Sequence, residues 1–94
     1  MRVLWTTAAL ASLEEITDFV ARHNPVAALR LVDDIPARVN ALLAGNPMIG
    51  RAGRVAGTRE LVLSGTPYLV AYRVSDHVAV LAVLHGAREW PEGF

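Results

Sequence analysis

From Thr58 to His85 apolar and β-branched residues run in three blocks, Thr58–Leu63, Tyr68–Val74 and Val78–His85, cut by the turn signals Ser64-Gly65-Thr66-Pro67 and Ser75-Asp76-His77. Blocks of this kind predict β-strands, and connections this short predict an antiparallel meander. The N-terminal half follows a different period. Leu10, Leu13, Ile16 and Val20 recur every three or four residues, with Glu14, Glu15, Asp18 and Arg22 largely on the other side. That spacing predicts an amphipathic helix, capped at its start by Thr6 or Thr7 and ending at His23-Asn24. Asn24-Pro25 signals a second helix start, and Ala28, Leu31, Val32, Ile35, Val39, Leu42 and Leu43 mark its apolar face as far as Gly45-Asn46-Pro47. Pro36 falls inside this period, which predicts a kink near Val32–Pro36 in a helix that continues. Ahead of both helices, Arg2–Thr6 is short, apolar and reads as a first strand. Met48–Gly57, where Gly50, Gly53 and Gly57 alternate with Arg51 and Arg54, reads as a flexible, locally basic loop. The order strand, helix hairpin, three strands predicts one α+β domain, a two-layer sandwich with the helices on one face of the sheet.

Composition sharpens this picture in two ways. Of the 94 residues 53% are hydrophobic and 19% charged, more apolar than an average soluble domain, so part of the surplus should lie on the surface as a protein-binding patch. Formal net charge is +0, so no global field draws the chain to nucleic acid or membrane, and any such contact must come from a local cluster. All nine basic residues are arginine. Cysteine is absent, which excludes disulfides, thiolate metal sites and a cysteine nucleophile. No apolar run approaches the length of a bilayer span, and the apolar N-terminal stretch is broken by Thr6-Thr7 before Glu14-Glu15, so the expected location is the cytoplasm.

Strand alternation sorts the candidate chemistry. Tyr68, Val70 and Tyr72 point to one face, and Leu69, Ala71 and Arg73 to the other; the aromatic set belongs against the helices, because an unpartnered Arg73 is costly to bury. Arg59 and Glu60 must point to opposite faces. His85 ends the last strand, with Arg88 and Trp90 close behind. A histidine beside Arg59, Arg73 and Arg88 could cleave RNA, the imidazole moving the proton and the arginines stabilising charge on the phosphate. The plainer arrangement has His85 bonded to the C-terminal turn, and Arg59 and Arg88 paired with Glu60 and Glu89. Arg51 and Arg54 suit a phosphate or a partner carboxylate, or simply solvent, since the loop lacks the Lys-Ser/Thr of a phosphate-cradling loop. Trp90 is a plug over one end of the core or a partner contact. Asp33-Asp34 point in different directions and read as a solvated patch, so neither metal nor cofactor is expected.

The opening strand, the helix end His23-Asn24-Pro25-Val26-Ala27-Ala28, the stretch from Leu42 to Gly50-Arg51, Thr58-Arg59-Glu60-Leu61, Tyr68–Val74 and Val83-Leu84-His85 follow one another in an order and spacing that spans nearly the whole chain. In this the sequence resembles the RelE/ParE superfamily of toxins from bacterial type II toxin–antitoxin modules. The resemblance implies a small cytoplasmic toxin whose cognate antitoxin lies along its apolar grooves, and a first strand placed beside the last. RelE-like members cleave mRNA on the ribosome, whereas ParE-like members poison DNA gyrase. The nuclease branch typically carries an arginine after the aromatic that matches Tyr68, where this chain has Leu69, and some members end in a catalytic tyrosine, where it has Phe94. Arg88 matches a catalytic arginine of that branch, and His85 falls where other members use or retain a histidine. Tyr72-Arg73-Val74 and Val83-Leu84-His85 are more similar to the ParE side. The resemblance therefore implies a non-nucleolytic, gyrase-directed toxin. The alternatives are an mRNA endonuclease with Arg59, Arg73, His85 and Arg88 at the phosphate, and a module that only binds antitoxin. Neither membrane nor sequence-specific DNA is an expected partner.

Overall fold

A computed structural model describes residues 1–87, 91, 93 and 94. Strand β1 (Val3–Trp5) is followed by helices α1 (Thr7–Ala21) and α2 (Pro25–Gly45), then by strands β2 (Arg51–Ala52), β3 (Arg59–Val62), β4 (Tyr68–Val74) and β5 (Val78–His85). The strands form one sheet in the order β1-β5-β4-β3-β2. β1 runs parallel to β5 and the other pairs are antiparallel, so the expected meander is β3 to β5 and the first strand does lie beside the last.

Local sequence explains both helix starts. Thr6 caps α1 by accepting the Ala9 N–H at 3.1 Å, and its hydroxyl also donates to the Val80 carbonyl at 2.8 Å, so the residue that starts the helix fastens it to β5. Asn24 caps α2 by accepting the Ala27 N–H at 3.1 Å, with Pro25 in the first turn where its missing donor costs nothing. α2 continues through Pro36. The fully buried Ile35 and Val39 on either side hold that segment to the core despite the lost backbone bond.

The core lies between the helices and one sheet face. Leu13, Ile35, Val39 and Leu43 meet Leu61, Val70, Tyr72, Val78, Val80 and Val83, each such side chain contributing about 1.5–3 kcal/mol when fully buried. A bulge shapes β5: Ala71 pairs with Ala82 but Tyr72 with Val80, leaving Leu81 as the extra residue. The parity change lets Val78, Val80 and Val83 all face the helices. Beside it the Ser12 hydroxyl accepts the Val83 N–H at 2.8 Å and donates to the Ala9 carbonyl at 2.9 Å, a second tie between α1 and β5.

The 48–57 segment corrects the expectation of an open loop. It forms the edge strand β2, whose Arg51 and Ala52 pair with Glu60 and Arg59, and Gly53 donates onward to the Thr58 carbonyl at 2.8 Å. A strand of two residues has no periodicity to display; its partners lie on β3 and β4. Among the described residues no helix is long and apolar enough to cross a membrane.

Candidate functional site

Three regions around the sheet carry the candidate chemistry. At the β2 end, Glu60 is 2% exposed on the face away from the helices. A buried carboxylate needs partners. The Arg51 guanidinium donates to Oε1 at 3.1 and 3.3 Å, and the Arg54 backbone N–H donates to Oε2 at 2.8 Å. Arg59 is directly opposite Tyr72 and therefore on the helix side of the sheet. Its guanidinium donates to the carbonyls of Gly50 and Met48, both at 3.1 Å, and so ties down the chain leaving α2. Glu60 thus takes Arg51 as its partner, and Arg59 binds backbone. Arg73, half-buried on the outer face, has its guanidinium beside Gly57: a Cβ there would lie 3.0 Å from Nη1, and Gly57 already sits at φ +77°.

At the other end of β4 a cleft of about 230 Å³ is lined by Ile16, Phe19, Tyr68 and His85, and it adjoins a second of about 160 Å³ that includes Ser12 and Glu15. Tyr68 pairs with His85 across the strands, their rings edge-on at 5.8 Å. His85 Nδ1 accepts the Ala87 N–H at 3.1 Å, which puts the ring proton on Nε2 in this arrangement and leaves His85 a donor with its basic nitrogen occupied. The third region is the outer side of the hairpin. Val26, Leu29 and Val32 are exposed, Leu29 by 69%, beside a groove of about 360 Å³ that also touches Thr17, Asp18, Ala21, Pro25 and Ala28. The apolar surplus of the sequence is visible there.

Of the residues expected around a scissile phosphate, Arg59, Arg73 and His85 are not gathered. Arg59 and Arg73 occupy opposite faces, and His85 is level with Tyr68, four residues along β4 from Tyr72, or about 13 Å. Arg88 and Trp90 lie outside the described residues, as does Glu89. Asp33 and Asp34 are both exposed, and Asp34 reaches Arg38 at 3.9 Å. At the β4–β5 turn the side-chain hydrogen bond from His77 at 2.8 Å, followed by that from Ser75, holds the exposed Asp76 carboxyl below its ordinary range. Sequence reasoning missed Phe19 as a cleft wall; its spacing of three from Ile16 was the available signal.

A family profile described as the ParE toxin of the type II toxin–antitoxin system parDE matches residues 3–90. This chain belongs to the ParE toxin family. Among similar proteins, Y4kP of Sinorhizobium fredii, which carries a provisional toxin designation, is 44% identical over 97% of this chain and 94% of its own. Toxin RelE2 of Caulobacter vibrioides is 36% identical over 93% of this chain and 97% of its own. A solved structure titled "Chromosomal ParDE TA system from P. aeruginosa" superposes with a TM-score of 0.80 at 31% identity, covering 90% of this chain and 95% of the other. The ParE-family fold and the membership agree.

Proposed function

We propose that this ParE-family toxin arrests growth by trapping DNA gyrase on cleaved DNA, and that a cognate antitoxin neutralises it by direct binding. One observation carries the choice of target: among the described residues the groups expected at a scissile phosphate are dispersed, with Arg59 spent on backbone carbonyls and His85 about 13 Å along the sheet from the Arg59–Tyr72 pair. A nuclease needs acid–base and charge-stabilising groups converging on one phosphate. A poison that works by binding needs only complementary surface. The antitoxin is supported by the two-component system named for the P. aeruginosa structure and by the exposed apolar side chains of α2.

The test is to incubate antitoxin-free protein with gyrase, ATP and supercoiled plasmid, remove protein with detergent and protease, and look for linear DNA. Linear product that requires both proteins supports the reading. Growth arrest without linear product turns the assignment to ribosome-dependent mRNA cleavage, the second reading, favoured by the designation of the Caulobacter relative. Neither effect leaves a module that only binds antitoxin.

A further inference from the structure

Ala28, Ile35, Val39 and Leu43 turn one side of α2 into the core, and helical spacing places Val26, Arg30, Asp33 and Ala37 on the opposite side, all four exposed. Their separations of four, three and four residues keep them in one line, the spacing by which two helices pack side by side. Val26 is 59% exposed, and Leu29, on the flank of this line, 69%. Beside them a shallow groove of about 590 Å³ is lined by Arg30, Leu31, Asp33, Asp34 and Ala37. The charges there are of both signs. Asp34 reaches Arg38, whose guanidinium donates to the Ser64 carbonyl at 3.0 Å, so these two are engaged within the chain. Arg30 and Asp33 make no side-chain hydrogen bond or ion pair among the described residues, although they stand three residues apart.

We propose that this face of α2 is a contact between two copies of the chain, packed antiparallel about a twofold axis that passes between Arg30 and Asp33. In that register Arg30 of each copy meets Asp33 of the other, and Val26 of each meets Ala37, whose small side chain leaves room for the valine. Leu29 and Pro36, seven residues apart on one flank, meet their counterparts. Charge complementarity selects this occupant. A nucleic-acid backbone would face the carboxylates of Asp33 and Asp34, and a peptide of one charge sign would find part of the face opposed, whereas a second α2 in reverse offers the opposite charge to both Arg30 and Asp33. The contact spans about three helical turns, roughly 16 Å, which places it among small interfaces and gives a weak, reversible dimer. Val32 lies outside it, so the groove it lines with Thr17 and Ala21 of α1 stays uncovered.

The test is sedimentation velocity of the antitoxin-free full chain over a concentration series reaching roughly 0.5 mM, high enough to show a weak association. The wild type should shift from monomer towards dimer, and less so in high salt, which screens exposed ion pairs. Arg30→Asp and Asp33→Arg each set like charges opposite one another twice, and each should weaken association about tenfold or more. An equimolar mixture of the two variants should associate at least as well as the wild type, because one copy then presents two acids and the other two bases. The double variant Arg30→Asp/Asp33→Arg should recover by the same logic. Both residues are exposed and unpaired, so melting by circular dichroism should match the wild type; if a charge variant melts early, Leu29→Ser, which weakens the contact without changing charge, carries the test. A wild type that stays monomeric overturns the proposal and leaves the face to a partner of another kind. Association that no single substitution weakens overturns it by placing the dimer elsewhere, and so do charge variants that weaken association but fail to rescue one another. Neither gyrase nor antitoxin is present, so these outcomes are independent of the plasmid assay.

Discussion

Tyr68 and Tyr72 stand four residues apart on β4 and face the same side of the sheet, yet they close the molecule to different degrees. Tyr72 is 0% exposed, and its hydroxyl accepts the Gly50 N–H at 2.8 Å. Tyr68 is half-buried, faces the His85 ring and forms one wall of an open cleft. Around Tyr72 the chain between α2 and β3 is folded back and fixed by polar side chains that reach backbone: Tyr72 to Gly50, Arg59 to Met48 and Gly50, Glu60 to Arg54. Beside the Tyr68 cleft the comparable link between distant residues is the Ser12 hydroxyl, which accepts the Val83 N–H. An interior satisfied in this way resists change, so substitutions at the Tyr72 end register as stability, and those at the Tyr68 end register in what the protein contacts.

The strongest way to break this contrast is Gly50→Ala. A Cβ on Gly50 would lie 2.5 Å from the Tyr72 hydroxyl and 2.8 Å from the Glu60 carbonyl, and neither a buried ring nor a strand backbone can yield. We expect a loss of about 3 kcal/mol in urea unfolding, with β2 detached from β3. Next comes an asymmetry within the ion pair. Arg51→Ala leaves the Glu60 carboxylate buried with only the Arg54 N–H, at a cost of about 2 kcal/mol once the exposure of Arg51 is allowed for. Glu60→Gln keeps the shape and discards the charge, at a cost of about 1 kcal/mol. The double variant should lose less than the sum of the two, because the second change removes the charge that the first orphaned. Additive losses in a double-mutant cycle would mean that the pair is not coupled. Tyr72→Phe strands the Gly50 N–H and should cost about 1.5 kcal/mol.

The same two ends show what the sequence could disclose. Strands β3 to β5, the caps Thr6 and Asn24 and the passage through Pro36 were legible because each is written in neighbouring residues: alternation, an N-cap before proline, an unbroken apolar period. β2 was not, because its two residues pair with Glu60 and Arg59 across a turn, and Gly50 just before it is held by the Tyr72 hydroxyl 22 residues away. Alternation correctly separated Arg59 from Glu60 but could not say that the carboxylate is the buried one, since its partner Arg51 comes from a segment that resembles a loop. For the candidate site, alternation gave faces but not distances along the sheet. Arg59, Arg73 and His85 come from three successive strands; the antiparallel register sets Arg59 level with Tyr72 and His85 with Tyr68, towards opposite ends of β4.

His85→Ala is the smallest change in stability and the sharpest test of the open end. The imidazole holds one backbone donor, the Ala87 N–H, and one ring contact, with Tyr68. Its removal should cost about 0.5 kcal/mol, a shift of about 2–4 °C in the melting temperature for a domain of this size. If the protein acts by binding, the folded variant should still arrest growth. The occupied Nδ1 argues in the same direction, because a general base must have a free lone pair for the incoming proton, and this one is committed to the chain that follows β5. Tyr68→Phe serves as the control, keeping the ring that faces His85 and deleting only the hydroxyl. Loss of growth arrest in a folded His85→Ala protein, with Tyr68→Phe still toxic and ribosome-bound mRNA cleaved by the wild type but not by His85→Ala, would assign the chemistry to the imidazole and restore the nuclease reading.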